Sequence, residues 1–117
     1  MITEEILEKS IRILDLKKAE DIKALKITDL SAVADYFVIA TGTSTTHVKA
    51  LAGDLEDELA KQGQEPKSIE GRATGWILLD YGNVVIHIFT PDTREHFNLE
   101  NLWADAKNVD LSKWITE

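Results

Sequence analysis

The stretch that decides the fold is Gly75-Trp-Ile-Leu-Leu-Asp-Tyr-Gly-Asn-Val-Val-Ile-His-Ile-Phe89, in which two β-prone runs flank residues typical of a turn. If Tyr81 and Gly82 form a two-residue turn, the two runs pair as an antiparallel hairpin. The predicted cross-strand pairs are Asp80–Asn83, Leu78–Val85 and Trp76–His87. Because side chains alternate along a strand, this pairing assigns every residue of the hairpin to one of two faces.

The two faces of the predicted hairpin differ in chemistry. One is wholly aliphatic and is expected to face the core: Ile77, Leu79, Val84, Ile86 and Ile88. The other is apolar at its centre, polar at one end, and carries an indole and an imidazole: Trp76, Leu78, Asp80, Asn83, Val85, His87 and Phe89. Large aromatic anchors inside a polar rim are typical of a binding patch. The alternative is that a terminal segment, such as the one with Trp114, covers this face as a second core layer.

The rest of the chain predicts one α/β domain over residues 1–117. Thr3, as the predicted capping residue, and the acids after it favour a helix start, and apolar residues recur at helical spacing as far as Leu14. Further predicted elements are strands at 21–27, 35–41 and 68–71, a helix between Ser44 and Gly63, and a final helix at 93–106. The order α-β-β-α-(β)-β-β-α predicts a mixed β-sheet with helices mainly on one face.

Composition limits the class of partner. The 117 residues include 13 basic and 21 acidic side chains, and the net charge of −8 would repel a duplex nucleic acid but favour a basic protein surface. Solubility alone is the simpler explanation of the same charge. The chain has no cysteine, and its apolar runs are too short to span a membrane. The N-terminus is acidic where a targeting segment would be basic, which favours the bacterial cytoplasm.

The sequence predicts no catalytic, metal or cofactor site. The three histidines, which form no recognised metal motif, are His47, His87 and His96. The turn Gly42-Thr43-Ser44 resembles the phosphate-binding turn of nucleotidyltransferases, but those enzymes need two metal-binding carboxylates on the following strand. The nearest carboxylates, Asp54 and Glu56, fall inside the second helix, so helix capping is the preferred interpretation. A divergent nucleotidyltransferase-like enzyme stays as the alternative.

Seven segments, spread over nearly the whole chain, together resemble a known family. They are Ala34-Asp-Tyr-Phe-Val-Ile-Ala-Thr-Gly42, Glu70-Gly71, Gly75-Trp76, Leu79-Asp-Tyr-Gly82, Val85-Ile-His-Ile-Phe89, Arg94 and Leu99-Glu-Asn-Leu-Trp-Ala-Asp-Ala106. In this order and spacing they are highly specific to the Iojap family of ribosome silencing factors. Asn83, where that family often has aspartate, and His96-Phe97, where an aromatic pair is common, are local departures.

The resemblance implies a nucleotidyltransferase-like fold without the catalytic carboxylates. It implies a protein that binds large-subunit ribosomal protein fourteen on the large ribosomal subunit, blocks joining of the small subunit and thereby represses translation. It also implies a link to large-subunit assembly and a homodimer off the ribosome. The negative charge predicts little direct contact with nucleic acid. Combined with the face argument, the expected partner-binding residues are Trp76, Leu78, Asp80, Tyr81, His87, Phe89 and Arg94.

Overall fold

A six-stranded mixed β-sheet organises the structure, a computed structural model that describes residues 2–32, 34–71 and 75–115. The elements are α1 (Thr3–Leu16), β1 (Glu20–Lys26), β2 (Tyr36–Thr41), α2 (Thr45–Ala60), β3 (Ser68–Glu70), β4 (Trp76–Asp80), β5 (Val84–Phe89), α3 (Pro91–Phe97), α4 (Leu99–Leu102) and β6 (Lys107–Asn108). The strand order is β3-β4-β5-β2-β1-β6, in which β2 and β5 are parallel and the other neighbouring pairs are antiparallel. The predicted α/β class with a mixed sheet is therefore confirmed.

The two long helices, α1 and α2, cover one face of the sheet, which we call the inner face. Their apolar stripes pack against the aliphatic side of the hairpin, whose five predicted core residues are at most 1% exposed. The buried helix residues are Ile6, Leu7, Ile11 and Leu14 of α1 and Val48, Leu51, Ala52, Leu55 and Leu59 of α2. Within the α1 stripe, the buried Ser10 hydroxyl is satisfied because it donates to the Ile6 carbonyl at 2.7 Å. The predicted core face of the hairpin is confirmed.

The register of the β4–β5 hairpin differs from the predicted one by two residues. The observed Cα partners are Trp76–Phe89, Ile77–Ile88, Leu78–His87, Leu79–Ile86 and Asp80–Val85. The turn is Gly82-Asn83, closed by the Tyr81 N–H, which donates to the Val84 carbonyl at 3.0 Å. Gly82 has a φ of 89°, which glycine adopts without strain. Because the side-chain period of a strand is two, this shift leaves both faces as predicted.

The predicted single helix at 93–106 is wrong. Two short helices, α3 and α4, form instead, because Asn98 between them has a left-handed backbone with φ 48° and ψ 55°. Pro91 lies at the start of α3, where its fixed φ suits the helix and its missing N–H costs no bond. After α4 the chain turns back, and β6 pairs with β1 at the edge of the sheet.

The two long helices begin differently. At α1, Thr3 is the first helical residue rather than the predicted cap, and the N–H of the capping residue Ile2 donates to the Glu5 carboxylate at 3.0 Å. At α2, the Ser44 hydroxyl oxygen accepts a hydrogen bond from the His47 N–H at 3.1 Å. The sequence therefore predicts the cap of α2 correctly and misplaces that of α1 by one residue.

Gly42 allows β2 and α2 to approach closely. A Cβ at this position would lie 2.8 Å from Val48 Cγ2 and 2.9 Å from the Val48 nitrogen.

We expect Gly42→Ala to lower the free energy of unfolding in urea by about 1–3 kcal/mol, because the helix backbone must shift. The matched control is Gly53→Ala inside α2, where a Cβ meets nothing within 4 Å. It should raise the free energy of unfolding by about 0.5–1 kcal/mol. Equal effects of the two substitutions would contradict this account.

Candidate protein-binding surface

The second face of the sheet, the outer face, is covered over only part of its width. Above β5, β2 and β1 it forms a second buried cluster under the segment that runs from α4 to β6. The cluster consists of Leu25, Ile27, Ala34, Ile39 and Phe89, with Leu99, Trp103 and Ala106 packed against it. Near β4 the same face stays partly open. We call the half-buried and exposed side chains there the aromatic patch: Phe37, Trp76, Leu78, Val85, Phe97 and Trp103.

The rings of the aromatic patch pack against one another, with Trp76 at the centre. The Trp76 ring centroid lies 4.6 Å from that of Phe97 and 5.1 Å from that of Phe89. Phe37 meets the His87 ring edge-on at 4.7 Å. Phe97, on α3, remains 47% exposed. Contacts of this kind hold the rings in place, so the patch is a largely preformed apolar surface.

The imidazole of His87 lies beneath the aromatic patch and is 3% exposed. Its Nδ1 accepts a hydrogen bond from the Trp76 indole N–H, with a nitrogen–nitrogen distance of 3.2 Å. Because an indole nitrogen can only donate, the proton of the neutral imidazole must lie on Nε2. That Nε2 is buried without a hydrogen-bond partner among the described residues. Burial lowers the pKa of His87 to about 4, so the ring is neutral at pH 7.

Arg94 ties the covering segment to the sheet. Its guanidinium donates to the Asp21 carbonyl at 2.6 Å and to the Thr41 hydroxyl at 2.8 Å, at one end of β1 and β2. It also donates twice to the Glu100 carboxylate, at 3.2 and 2.9 Å. Burial would raise the pKa of Glu100, but the hydrogen bond and charge of Arg94, with a smaller effect of Lys23, lower it overall. The Arg94 side chain is only 10% exposed, so it acts here as an internal clamp.

Five of the predicted partner-binding residues lie on the outer face, at different depths. Trp76 and Leu78 are half-buried members of the aromatic patch. Asp80 is half-buried farther along β4, where its carboxylate accepts the Gly82 N–H at 2.7 Å. His87 and Phe89 are buried under the patch. The structure therefore brings Trp76 and Leu78 to the surface together, while His87 and Phe89 support them from below.

Tyr81 lies on the opposite side of the sheet from the aromatic patch. It is buried in the inner cluster, and its hydroxyl has no hydrogen-bond partner in the described part of the chain. Burial, together with the charges of Glu56 and Glu65, raises the pKa of Tyr81 to about 12. As placed, Tyr81 supports the hairpin turn from the core.

Three members of the aromatic patch lie outside the hairpin face from which the site is predicted: Phe37, Phe97 and Trp103. Alternation along β2 predicts which residues of that strand share a face with Phe37. Which residues of β5 lie beside Phe37 depends on the parallel pairing of the two strands. Phe97 and Trp103 reach the patch only because the predicted last helix is broken. Trp114, the suggested cover of the outer face, packs instead against the inner cluster, and Trp103 takes the covering position.

The turn at 42–44 is occupied by its own hydrogen bonds. The Thr43 N–H donates to His47 Nδ1 at 2.9 Å, and the His47 N–H donates to the Ser44 hydroxyl. The other imidazole nitrogen, Nε2, donates to the Lys17 carbonyl at 3.0 Å. Asp54, one of the two carboxylates considered for a metal, faces the Lys17 ammonium at 3.9 Å. The amides of Thr43 and His47 are thus already bonded within the turn, which agrees with capping.

Neither a metal site nor a membrane-spanning helix is present in the ranges 2–32, 34–71 and 75–115. No group of three or more His, Asp or Glu side chains in these ranges could hold a metal ion. None of their helices combines the length and the apolar character needed to cross a bilayer.

Similarity to known proteins covers almost the whole chain. Residues 2–117 match the model of the family described as "Ribosomal silencing factor during starvation". The chain is 41% identical over 117 residues to the Ribosomal silencing factor RsfS of Halalkalibacterium halodurans, a match to 99% of this chain and 100% of that protein. It is 45% identical over 98 residues to the Bacillus subtilis protein of the same name, 83% of each chain. A crystal structure of a Chromobacterium violaceum protein superposes with a TM-score of 0.85 at 33% identity, covering 89% of this chain and 88% of that one.

The Arg94–Glu100 pair should contribute far more to stability than an exposed pair of the same chemistry. We expect Glu100→Ala to lower the free energy of unfolding by about 2 kcal/mol, because Arg94, whose side chain is only 10% exposed, is left without its carboxylate. The control is Glu8→Ala, which removes an exposed pair with Arg12 on α1. It should change the free energy of unfolding by less than about 0.5 kcal/mol. Similar values for the two variants in urea denaturation would show that the clamp is not energetically important.

His87 should make the protein less stable in mild acid. The pKa of His87 is lowered to about 4 in the folded chain. The unfolded chain therefore binds a proton more readily below pH 6.5, and stability is lost as the pH falls from about 6.5 towards 4. The loss due to this group should reach roughly 3 kcal/mol. The difference in free energy of unfolding between wild type and His87→Asn should change with pH over that window. A difference in free energy of unfolding that stays constant with pH would contradict a buried, neutral imidazole at His87.

Proposed function

This chain belongs to the family of ribosomal silencing factors, which are ribosome-associated regulators of translation, and we propose that it represses translation by binding the large ribosomal subunit. The proposed partner is large-subunit ribosomal protein fourteen, at the face where the small subunit docks. Bound there in the bacterial cytoplasm, the protein would prevent the two subunits from joining.

The aromatic patch is the observation that carries this proposal. It places the indole of Trp76 and the exposed ring of Phe97 side by side, with Leu78 next to them on β4. Aromatic side chains at the centre of a patch supply much of the binding free energy of protein interfaces. Because these rings already pack on Phe89 and on one another, binding would cost little side-chain ordering.

Repression by this route needs no chemical step. A protein interface of standard size buries roughly 1,600 Å² in total, which the patch and its surroundings could supply in part. The chain measures 34 × 33 × 30 Å along its principal axes. A rigid body of that size on the joining face would occupy space that the small subunit needs. This supports steric exclusion as the mechanism. Use of the turn at 42–44 for capping agrees with it, because steric exclusion requires no phosphate-binding turn.

Charge supports a protein partner over a nucleic acid. The net charge of −8 would speed encounter with a basic ribosomal protein and would oppose close approach to ribosomal RNA. Glu70 and Asp80 add negative charge on the outer face near the patch, since Glu70 of β3 is the cross-strand partner of Leu78. We therefore infer that the contacts are mainly with protein.

The test is retention of purified large ribosomal subunits by the immobilised protein. Trp76→Ala should reduce the affinity for large subunits at least tenfold, because truncation of a central aromatic anchor typically costs about 2 kcal/mol or more. The control is Leu16→Ala, which truncates a side chain that is 73% exposed on the helical side of the molecule. It should bind like wild type.

Circular dichroism must first show that both variants are folded. Retention of subunits by Trp76→Ala would place the interface elsewhere, and absence of binding by the wild type would refute the proposal. Because the same patch could join two copies of the chain, light scattering at several concentrations should accompany the assay. A stable dimer that Trp76→Ala disrupts would mean that self-association competes with the ribosome for this surface.

A further inference from the structure

We propose that His87 is a positioning residue for partner binding: by accepting the Trp76 indole N–H, it fixes the central anchor of the aromatic patch in its binding orientation. The inference rests on the proposed function, since it assigns His87 a role in the same patch. It goes beyond that function because His87 is buried and would not itself touch the partner.

The hydrogen bond supplies a constraint that ring packing lacks. The Trp76 ring stacks on Phe89 at 5.1 Å and meets Phe97 at a tilt at 4.6 Å, and these contacts restrain the plane of the indole. Stacked rings still allow an indole to turn over, so that its N–H edge and its carbocyclic edge exchange places. The bond from Trp76 Nε1 to His87 Nδ1, at 3.2 Å, permits only one of these orientations.

Packing alone does not account for an imidazole at this position. The flanking residues of β5, Ile86 and Ile88, are aliphatic and fully buried. His87 is buried as deeply but leaves its Nε2 without a hydrogen-bond partner among the described residues, which costs stability. A valine or isoleucine would avoid that cost. What the imidazole adds is an acceptor at Nδ1, and the group that uses it is the indole of Trp76.

This arrangement also indicates the chemistry of the partner at Trp76. With its only N–H bonded inside the protein, the indole presents carbon atoms to the outside. A partner can then remove water from that edge without leaving a buried donor unpaired. The geometry therefore favours aliphatic side chains of the partner over a carbonyl or carboxylate at this point.

The first arm of the test is nitrogen–proton NMR of the Trp76 indole in the free protein, assigned with Trp76→Phe. In wild type the indole proton should resonate downfield and exchange slowly with water, as a hydrogen-bonded donor does. His87→Phe keeps an aromatic ring but no acceptor, and should move the resonance upfield and speed its exchange. His87→Asn places an amide oxygen near the position of Nδ1 and should restore both properties. A fast-exchanging wild-type indole would overturn the inference.

The second arm is binding to purified large ribosomal subunits. His87→Phe should weaken binding about fivefold to tenfold, while His87→Asn should stay within about twofold of wild type. In a Trp76→Phe background, which has no indole N–H, His87→Phe should produce no further loss. This non-additivity is the expected signature of positioning, because a general structural defect would weaken both backgrounds equally.

The two arms separate the possible failures. If the wild type binds no subunits, the proposed function fails and the partner-binding role of His87 fails with it, whereas the NMR arm still decides whether His87 orients Trp76. If the wild type binds and His87→Phe binds equally well, only the positioning inference is overturned. Should His87→Phe not fold, as judged by circular dichroism, His87→Leu also lacks an acceptor and takes its place.

Discussion

The structure depends on the burial of β5 on both of its faces. This strand pairs antiparallel with β4 and parallel with β2, so both of its hydrogen-bonding edges are used. Ile86 and Ile88 are buried against the helices, while His87 and Phe89 are buried on the other side. A strand of this kind tolerates no shift of one residue, because each shift would exchange the aliphatic row for the imidazole and phenyl rings. The inner helical layer and the outer aromatic patch are therefore both fixed by one strand.

The alternation of side chains predicts more of the fold than the position of the turn does. The hairpin faces are correct although Tyr81-Gly82 is the wrong turn, because an error of two residues preserves the period of a strand. Helix spacing likewise predicts α1 and α2 from their apolar stripes. The prediction of a single helix after Pro91 is wrong for a local reason. Asn98 adopts a left-handed conformation that divides the helix, and the spacing of apolar residues does not predict the backbone conformation of one residue.

The site is less predictable because it depends on contacts between distant segments. The sequence places Trp76, His87 and Phe89 on one face, but it cannot tell which of them the covering segment will bury. Arg94 shows the difficulty most clearly. A charged residue near a helix end is expected at the surface, yet its guanidinium bonds to the carbonyl of Asp21, which lies 73 positions earlier in the chain. Only the folded arrangement of β1, β2 and α3 shows that the Arg94 side chain is held by other parts of the chain.

The two edges of the sheet limit how copies of this chain, which exposes aromatic rings, can associate. The outermost strands, β3 and β6, are three and two residues long, and they include the charged side chains of Glu70 and Lys107. Such short edges offer few backbone groups on which another copy could extend the sheet. Extension of the sheet from copy to copy is thereby disfavoured, and a face-to-face pair made through the patch would close on itself rather than grow into a fibre.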